Sequence, residues 1–230
     1  MGAYDRIREE AYAANMRIPA LKLAIFTFGN ASAFDPDKGV FAIKPSGVPY
    51  EKLTPESMVV MDLDFKVVEG DLRPSSDANT HAVLYKHFEG IGGVVHTHST
   101  CATAWAQAKR PIPIYGTTHA DHLAQDVPCT AVMRDDRIKG DYETETGVQI
   151  LEVFKHISPK EVEMVLVACH GPFTWGKSAE KAVYNSAVLE ELAQMALFTE
   201  QVNPQAGRMK DSLIEKHYMR KHGPGAYYGQ

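Results

Sequence analysis

The chain has 230 residues, 44% hydrophobic and 23% charged, which is enough to bury one sizeable core and lacks the bias of a disordered polymer. A formal charge of −5 offers no basic field for nucleic acid, and no apolar run approaches the roughly 18 residues that a membrane span needs. Nucleic-acid and membrane partners are therefore excluded as expectations, and a small-molecule partner is expected. The start, Met1-Gly2-Ala3-Tyr4-Asp5-Arg6, has no signal-peptide core, so a cytosolic location is expected. Cys101, Cys129 and Cys169 are odd in number and widely spaced, which reads as reduced core thiols without a catalytic role.

In chain order, small and apolar residues at helical spacing over Asp5 to Met16 predict a helix, and Leu23 to Phe28 predicts a strand running into Gly29-Asn30. Short strands are expected at Val40 to Ile43, Met58 to Leu63 and Phe65 to Val68, the last two joined by a tight turn around Asp64. Ser75-Ser76-Asp77 can cap a helix over Thr80 to Phe88. The run Gly92-Gly93-Val94-Val95 reads as a buried strand leading to His96, and Thr100 to Lys109 is an alanine-rich helix. Thr117 to Gln125 reads as a short helix or loop, and Glu145 to His156 as a longer helix. Strands at Met164 to Cys169 and Phe173 to Trp175 precede a long helix from Ala179 to about Glu200, which Asn203-Pro204 stops. A last helix covers Asp211 to Lys221 and ends at Gly223-Pro224-Gly225. With no repeat or linker, residues 1–230 read as a single layered α/β domain in which helices flank a central, mostly antiparallel sheet.

His96-Thr97-His98 closes its strand, and side chains two apart on a strand share a face, so both imidazoles can reach one ion. His170, after the second apolar strand, supplies a third, the number of protein ligands in many catalytic zinc sites. A carboxylate completes such a set, and Asp77 at a helix start is the candidate, its alternative role being the helix N-cap.

The segments Thr27-Phe28-Gly29-Asn30-Ala31-Ser32, Ile43-Lys44-Pro45-Ser46-Gly47, Pro74-Ser75-Ser76-Asp77, His96-Thr97-His98-Ser99, Gly116-Thr117-Thr118-His119-Ala120-Asp121 and His170-Gly171-Pro172-Phe173 together resemble the class II aldolase family, and within it the sugar-phosphate 4-epimerases. The resemblance covers essentially the whole chain, including the ending Ala226-Tyr227-Tyr228-Gly229-Gln230. It implies a homotetramer with active sites between subunits and one zinc ion per subunit, for which manganese or cobalt can substitute. The implied reaction interconverts L-ribulose 5-phosphate and D-xylulose 5-phosphate in pentose catabolism: C3–C4 retro-aldol cleavage, rotation of the aldehyde, and re-formation of the bond.

By the same resemblance His96, His98 and His170 match the zinc ligands, Asp77 an additional ligand, and Asp121 and Tyr228 the two acid/base groups, with Tyr228 reaching from a neighbouring subunit. A sugar phosphate needs hydrogen-bond donors and a cation, which Gly29, Asn30, Lys44, Ser46, Gly47, Ser75 and Ser76 supply. Thr117, Glu143 and His217 match supporting positions. Phe28 and Ala78-Asn79 depart from the common pattern without removing a chemical group. The alternatives are a class II aldolase of the L-fuculose-phosphate type, which typically carries glutamate where Asp77 stands, and a non-catalytic relative of the adducin kind, which needs no intact triad.

Overall fold

Short runs of β-branched and aromatic residues build one sheet here, and their alternate side chains feed two separate cores. The computed structural model describes residues 2–226. Its elements are α1 (Asp5–Ala20), β1 (Asn30–Asp35), β2 (Val40–Ile43), β3 (Val59–Asp62), β4 (Val67–Glu69), α2 (Ala78–His87), β5 (Gly93–His96), α3 (Thr100–Ala108), the single-turn α4 (Thr117–Ala120) and α5 (Asp135–Ile138), α6 (Tyr142–Val153), β6 (Met164–Val167), β7 (Gly171–Gly176), α7 (Ala179–Val202) and α8 (Asp211–His222). The strands lie in the order β4-β3-β2-β1-β5-β7-β6, and every neighbouring pair is antiparallel. The sheet expected to be mostly antiparallel is wholly so. None of the described helices is long and apolar enough to cross a membrane.

Phe41, Ile43, Val59, Met61 and Val94 pack on one face with Leu84 of α2, Trp105 of α3 and Ile150 of α6. Their neighbours Val40, Ala42, Val60 and Val95 pack on the other, against Ile7, Ala11 and Ile18 of α1 and the start of α7. This alternation is the period-two geometry of a strand with both faces covered.

Helix and strand positions agree with the sequence to within a few residues, apart from the single-turn α5, which the sequence reading leaves unassigned, and the region up to and along β1. Leu23 to Phe28, expected as a strand, is irregular, and the sheet starts only at Asn30. Lys22 and Phe26 hold positive φ angles of 58° and 55°, which no strand tolerates. Ile25, Phe26 and Phe28 are exposed, so their hydrophobicity serves no sheet. The cysteines also need correction: Cys101 and Cys129 are half-buried, but Cys169 is exposed in the turn between β6 and β7 with φ 64°, and is no core thiol.

The centre of the sheet is tied to α7 by a close backbone approach at Gly93, where an added Cβ would overlap the backbone of Ser178 and Ala179. Only a residue without a side chain fits there. Gly93→Ala is expected to lower stability by about 1–3 kcal/mol through overpacking, read as a lower midpoint in thermal unfolding. An unchanged midpoint would mean that α7 does not press on β5 in this way.

Candidate metal centre and active site

The strand ends on one side of the sheet converge. Antiparallel pairing sets Asn30, at the start of β1, opposite His96, at the end of β5, and His96 opposite Phe173 of β7. The ring of Phe173 stacks on that of His96 with centroids 4.3 Å apart. His96 Nδ1 lies 3.0 Å from the Pro172 carbonyl, which can only accept, so Nδ1 carries the proton and Nε2 presents its lone pair. His98 lies just beyond the strand, where α3 begins. The first amides of α3, those of Cys101 and Ala102, donate to the Glu190 carboxylate of α7 at 2.8 and 2.9 Å, which directs the segment carrying His98.

His170 comes from the turn joining β6 to β7, and one ligating nitrogen from each of His96, His98 and His170 lies within 4.8 Å of the others. His96 Nε2 and His98 Nε2 are 3.0 Å apart, near the roughly 3.3 Å that separates two ligands of a tetrahedral zinc ion. His170 Nδ1 is buried without a hydrogen-bond partner among the described residues. Burial first, and the neighbouring His96 second, lower the pKa of His98 and bring that of His170 down to about 4. Converging imidazoles, one with an orphaned buried nitrogen, fit a metal ion.

Asp77 stands at the N-cap position of α2, yet its side chain makes no capping hydrogen bond. Its Oδ2 instead accepts from Asn30 Nδ2 at 2.7 Å. Burial alone would raise this carboxyl, but attraction from His96, His81 and His170 and the Asn30 bond hold it below its ordinary value. Asp77 lies outside the 4.8 Å cluster and lines the same cavity.

That cavity, of about 360 Å³, is lined by His96, His98, His170 and Asp77 and also by Gly29, Asn30, Lys44, Ser46, Gly47, Ser75, Ser76 and Glu143. All seven residues expected around a phosphate are therefore together. Lys44 is 2% exposed, donates to the Thr27 carbonyl at 3.2 Å, and has its ammonium 5.1 Å from the centre of the Tyr50 ring. Among the described residues it pairs with no carboxylate, and burial lowers its pKa. A buried cation without a counter-ion favours an anionic ligand. The loops beside it are stitched by Ser46 N–H donating to the Arg73 carbonyl and Ser75 N–H to the Lys44 carbonyl, so their hydroxyls are what they offer to a ligand.

Asp121, Thr117 and His217 do not line this cavity. Asp121 is held by α8: Oδ1 accepts from Arg220 Nε at 3.0 Å and lies 3.0 Å from His217 Nδ1, and Oδ2 accepts from Arg220 Nη2 at 2.7 Å. Burial would raise this carboxyl, but Arg220 and His217 hold it low. Tyr228 lies outside the described residues.

Sequence reading missed Pro172, Glu190, Tyr142 and His81. Tyr142 lines the cavity with its ring 6.2 Å from that of His170. Glu190 lies 89 residues from Cys101 in the chain, and no local pattern marks it. His81 had a signal, since it falls four residues after Asp77 on a predicted helix and so on the same side.

Residues 9–197 match the family described as Class II Aldolase and Adducin N-terminal domain. The chain is 49% identical over 226 residues, 98% of its length and 99% of the relative's, to an L-ribulose-5-phosphate 4-epimerase, UlaF, of Salmonella paratyphi C, with the same figures for the Salmonella typhi protein. Among solved structures it is similar to an L-fuculose 1-phosphate aldolase, with a TM-score of 0.79, 22% identity, and coverage of 96% of this chain and 97% of that one. It is also similar to YgbL of Klebsiella pneumoniae, a putative aldolase/epimerase/decarboxylase, with a TM-score of 0.73, 24% identity, and coverage of 94% and 99%. At that identity the structures establish the shared fold. The residues matched and the extent of the 49% identity place this chain in the class II aldolase and adducin N-terminal domain family.

Proposed function

We propose that this chain is a metal-dependent sugar-phosphate 4-epimerase that interconverts L-ribulose 5-phosphate and D-xylulose 5-phosphate. The observation carrying this reading is that one cavity holds three converging imidazoles and, with them, a buried lysine that has no carboxylate partner among the described residues. The relatives named as L-ribulose-5-phosphate 4-epimerases align over nearly the whole chain, which supports the same activity here. We read residues 1–230 as one cytosolic catalytic domain serving pentose catabolism.

Inversion at C4 cannot proceed by removing the C4 hydrogen, because that carbon is not adjacent to the C2 carbonyl. Cleaving C3–C4, turning the aldehyde and re-forming the bond achieves it. His96, His98 and His170 would hold one zinc ion, or manganese or cobalt in its place, with Asp77 beside them. Bound there, the metal would supply Lewis-acid polarisation of the substrate's carbonyl oxygen. Lys44 with the hydroxyls of Ser46, Ser75 and Ser76, the turn at Gly47, and Gly29-Asn30 would hold the phosphate. That phosphate belongs to the aldehyde fragment, so gripping it keeps the fragment in place while its reacting end turns. An aldolase must release both fragments, whereas an epimerase must retain them.

The C4 oxygen points differently in the two epimers, so protons must be handled on two sides. Asp121 and Tyr228 are the proposed groups, supported by Thr117, Glu143 and His217. Asp121 lies off the cavity of its own chain, so we place it, with Tyr228, in the active site of a neighbouring subunit of a homotetramer.

Incubating metal-loaded protein with L-ribulose 5-phosphate is expected to form D-xylulose 5-phosphate, followed with a stereospecific coupling enzyme, with little free glycolaldehyde phosphate. Release of the aldehyde without the epimer would make the protein an aldolase. His98→Asn is expected to lose metal and turnover together, checked by metal analysis beside kinetics; full metal content with normal activity would defeat the ligand assignment. Lys44→Met is expected to keep the metal and raise KM ten- to a hundred-fold, because a hydrogen bond to a charged group contributes about 1.5–3 kcal/mol. The shared-site reading is checked by mixing. His98→Asn and Asp121→Asn subunits, each inactive alone, should regain partial activity on reassembly, as should His98→Asn with Tyr228→Phe, and failure of both mixtures would put each site within one chain.

A further inference from the structure

Behind the metal cluster, β1 and α2 meet through two matched pairs. Asn30 and Ser32 are two apart on a strand and share a face, and Asp77 and His81 are four apart across the start of a helix and share a side. Asn30 Nδ2 donates to Asp77 Oδ2 at 2.7 Å, and Ser32 Oγ lies 2.7 Å from His81 Nδ1. A third hydroxyl extends the second pair, since Tyr85 Oη lies 2.7 Å from Ser32 Oγ. Ser32 and His81 are fully buried and Tyr85 nearly so.

Hydrogen-bond accounting leaves two directions for this chain. If His81 Nδ1 donated to Ser32, the Ser32 hydroxyl would donate to Tyr85, and the phenol hydrogen would be buried with no acceptor among the described residues. The opposite direction uses both hydroxyl hydrogens, Tyr85 donating to Ser32 and Ser32 to an unprotonated His81 Nδ1, and moves the one unspent hydrogen to His81 Nε2, on the helix side it shares with an acceptor that has capacity to spare. His81 then carries its proton on Nε2. That atom is buried and has no hydrogen-bond partner among the described residues. One helical turn away the Asp77 carboxylate uses only Oδ2, and Oδ1 makes no hydrogen bond among the described residues.

We infer that His81 is a positioning residue: its Nε2–H is set by the Tyr85–Ser32 relay to orient the Asp77 carboxylate toward the metal cluster. A buried donor left unspent beside a carboxylate with an unspent oxygen costs stability unless the two meet. With a metal held by His96, His98 and His170, Asp77 Oδ1 would take up that donor while the carboxylate faces the ion. The inference rests on the metal reading given above and extends it to residues that touch neither metal nor substrate. It also accounts for an Asp at the N-cap that does not cap.

The test titrates the intact, metal-free protein with cobalt(II), whose visible absorption reports the ligand geometry, and repeats this for two substitutions. His81→Asn keeps an amide where Nδ1 stands and removes the donor on the Nε2 side, whereas His81→Gln keeps an N–H on that side. His81→Asn is expected to weaken cobalt binding 10- to 100-fold and change its spectrum, and His81→Gln to restore both to near the unsubstituted values. In an Asp77→Asn background, His81→Asn should add no further loss, because it acts through that carboxylate. Equal losses for the Asn and Gln variants, or a full additional loss in the Asp77→Asn background, would make His81 a packing residue and overturn the inference. If His81→Asn does not fold, Tyr85→Phe takes its place: removing the phenol hydrogen frees the relay's direction and should weaken cobalt binding several-fold, and unchanged affinity overturns the inference. Failure of the unsubstituted protein to bind cobalt would overturn the metal reading itself, and this inference with it.

Discussion

The exit of β5 is the constraint on which the site depends. The strand is central in the sheet, held by β1 on one side and β7 on the other, and pressed against the start of α7 at a position that admits no Cβ. It can therefore move neither sideways nor outward. The Pro172 carbonyl takes the Nδ1 proton of His96 and lies 3.4 Å from the Thr97 amide, so the strand that fixes the imidazole in space also fixes its tautomer. His98 and His170 are then placed relative to a rigid point, one by the Glu190-capped start of α3 and the other by the turn between β6 and β7.

Electrostatics separates the site into zones within one cavity. Around the histidines burial favours the neutral imidazole, which is the ligating form. Beside them Lys44 pairs with no carboxylate among the described residues, and Asp77 is an anion kept ionised by its neighbours. A cation site next to an anion site suits a substrate with oxygens to be polarised at one end and a phosphate at the other. Asp121 is organised by a different helix and lies apart, clamped by Arg220 and His217.

Much of this arrangement is legible in local sequence. The H-x-H spacing at the end of a β-branched run, the glycine and serine turns after β2 and before α2, and the histidine before Gly171-Pro172 are all short patterns, and each of these segments reaches the cavity. Where reading failed, the reason was also local. Leu23 to Phe28 has a strand's composition, but Ile25, Phe26 and Phe28 are exposed and the backbone is left-handed at Lys22 and Phe26. Cys169 looked like the end of a buried strand and is instead the turn that carries His170 into place.

The sequence by itself determined most of the elements and the identity of the converging histidines, because these follow from spacings of two to four residues. Tertiary structure alone decided that Lys44 is buried with no counter-ion among the described residues, that Asp77 turns from capping α2 to Asn30, that Glu190 closes the start of α3 from 89 positions away, and that Asp121 stands outside its own chain's cavity. Those facts depend on which strands become neighbours and on how water is excluded between them, and no short window of sequence encodes either.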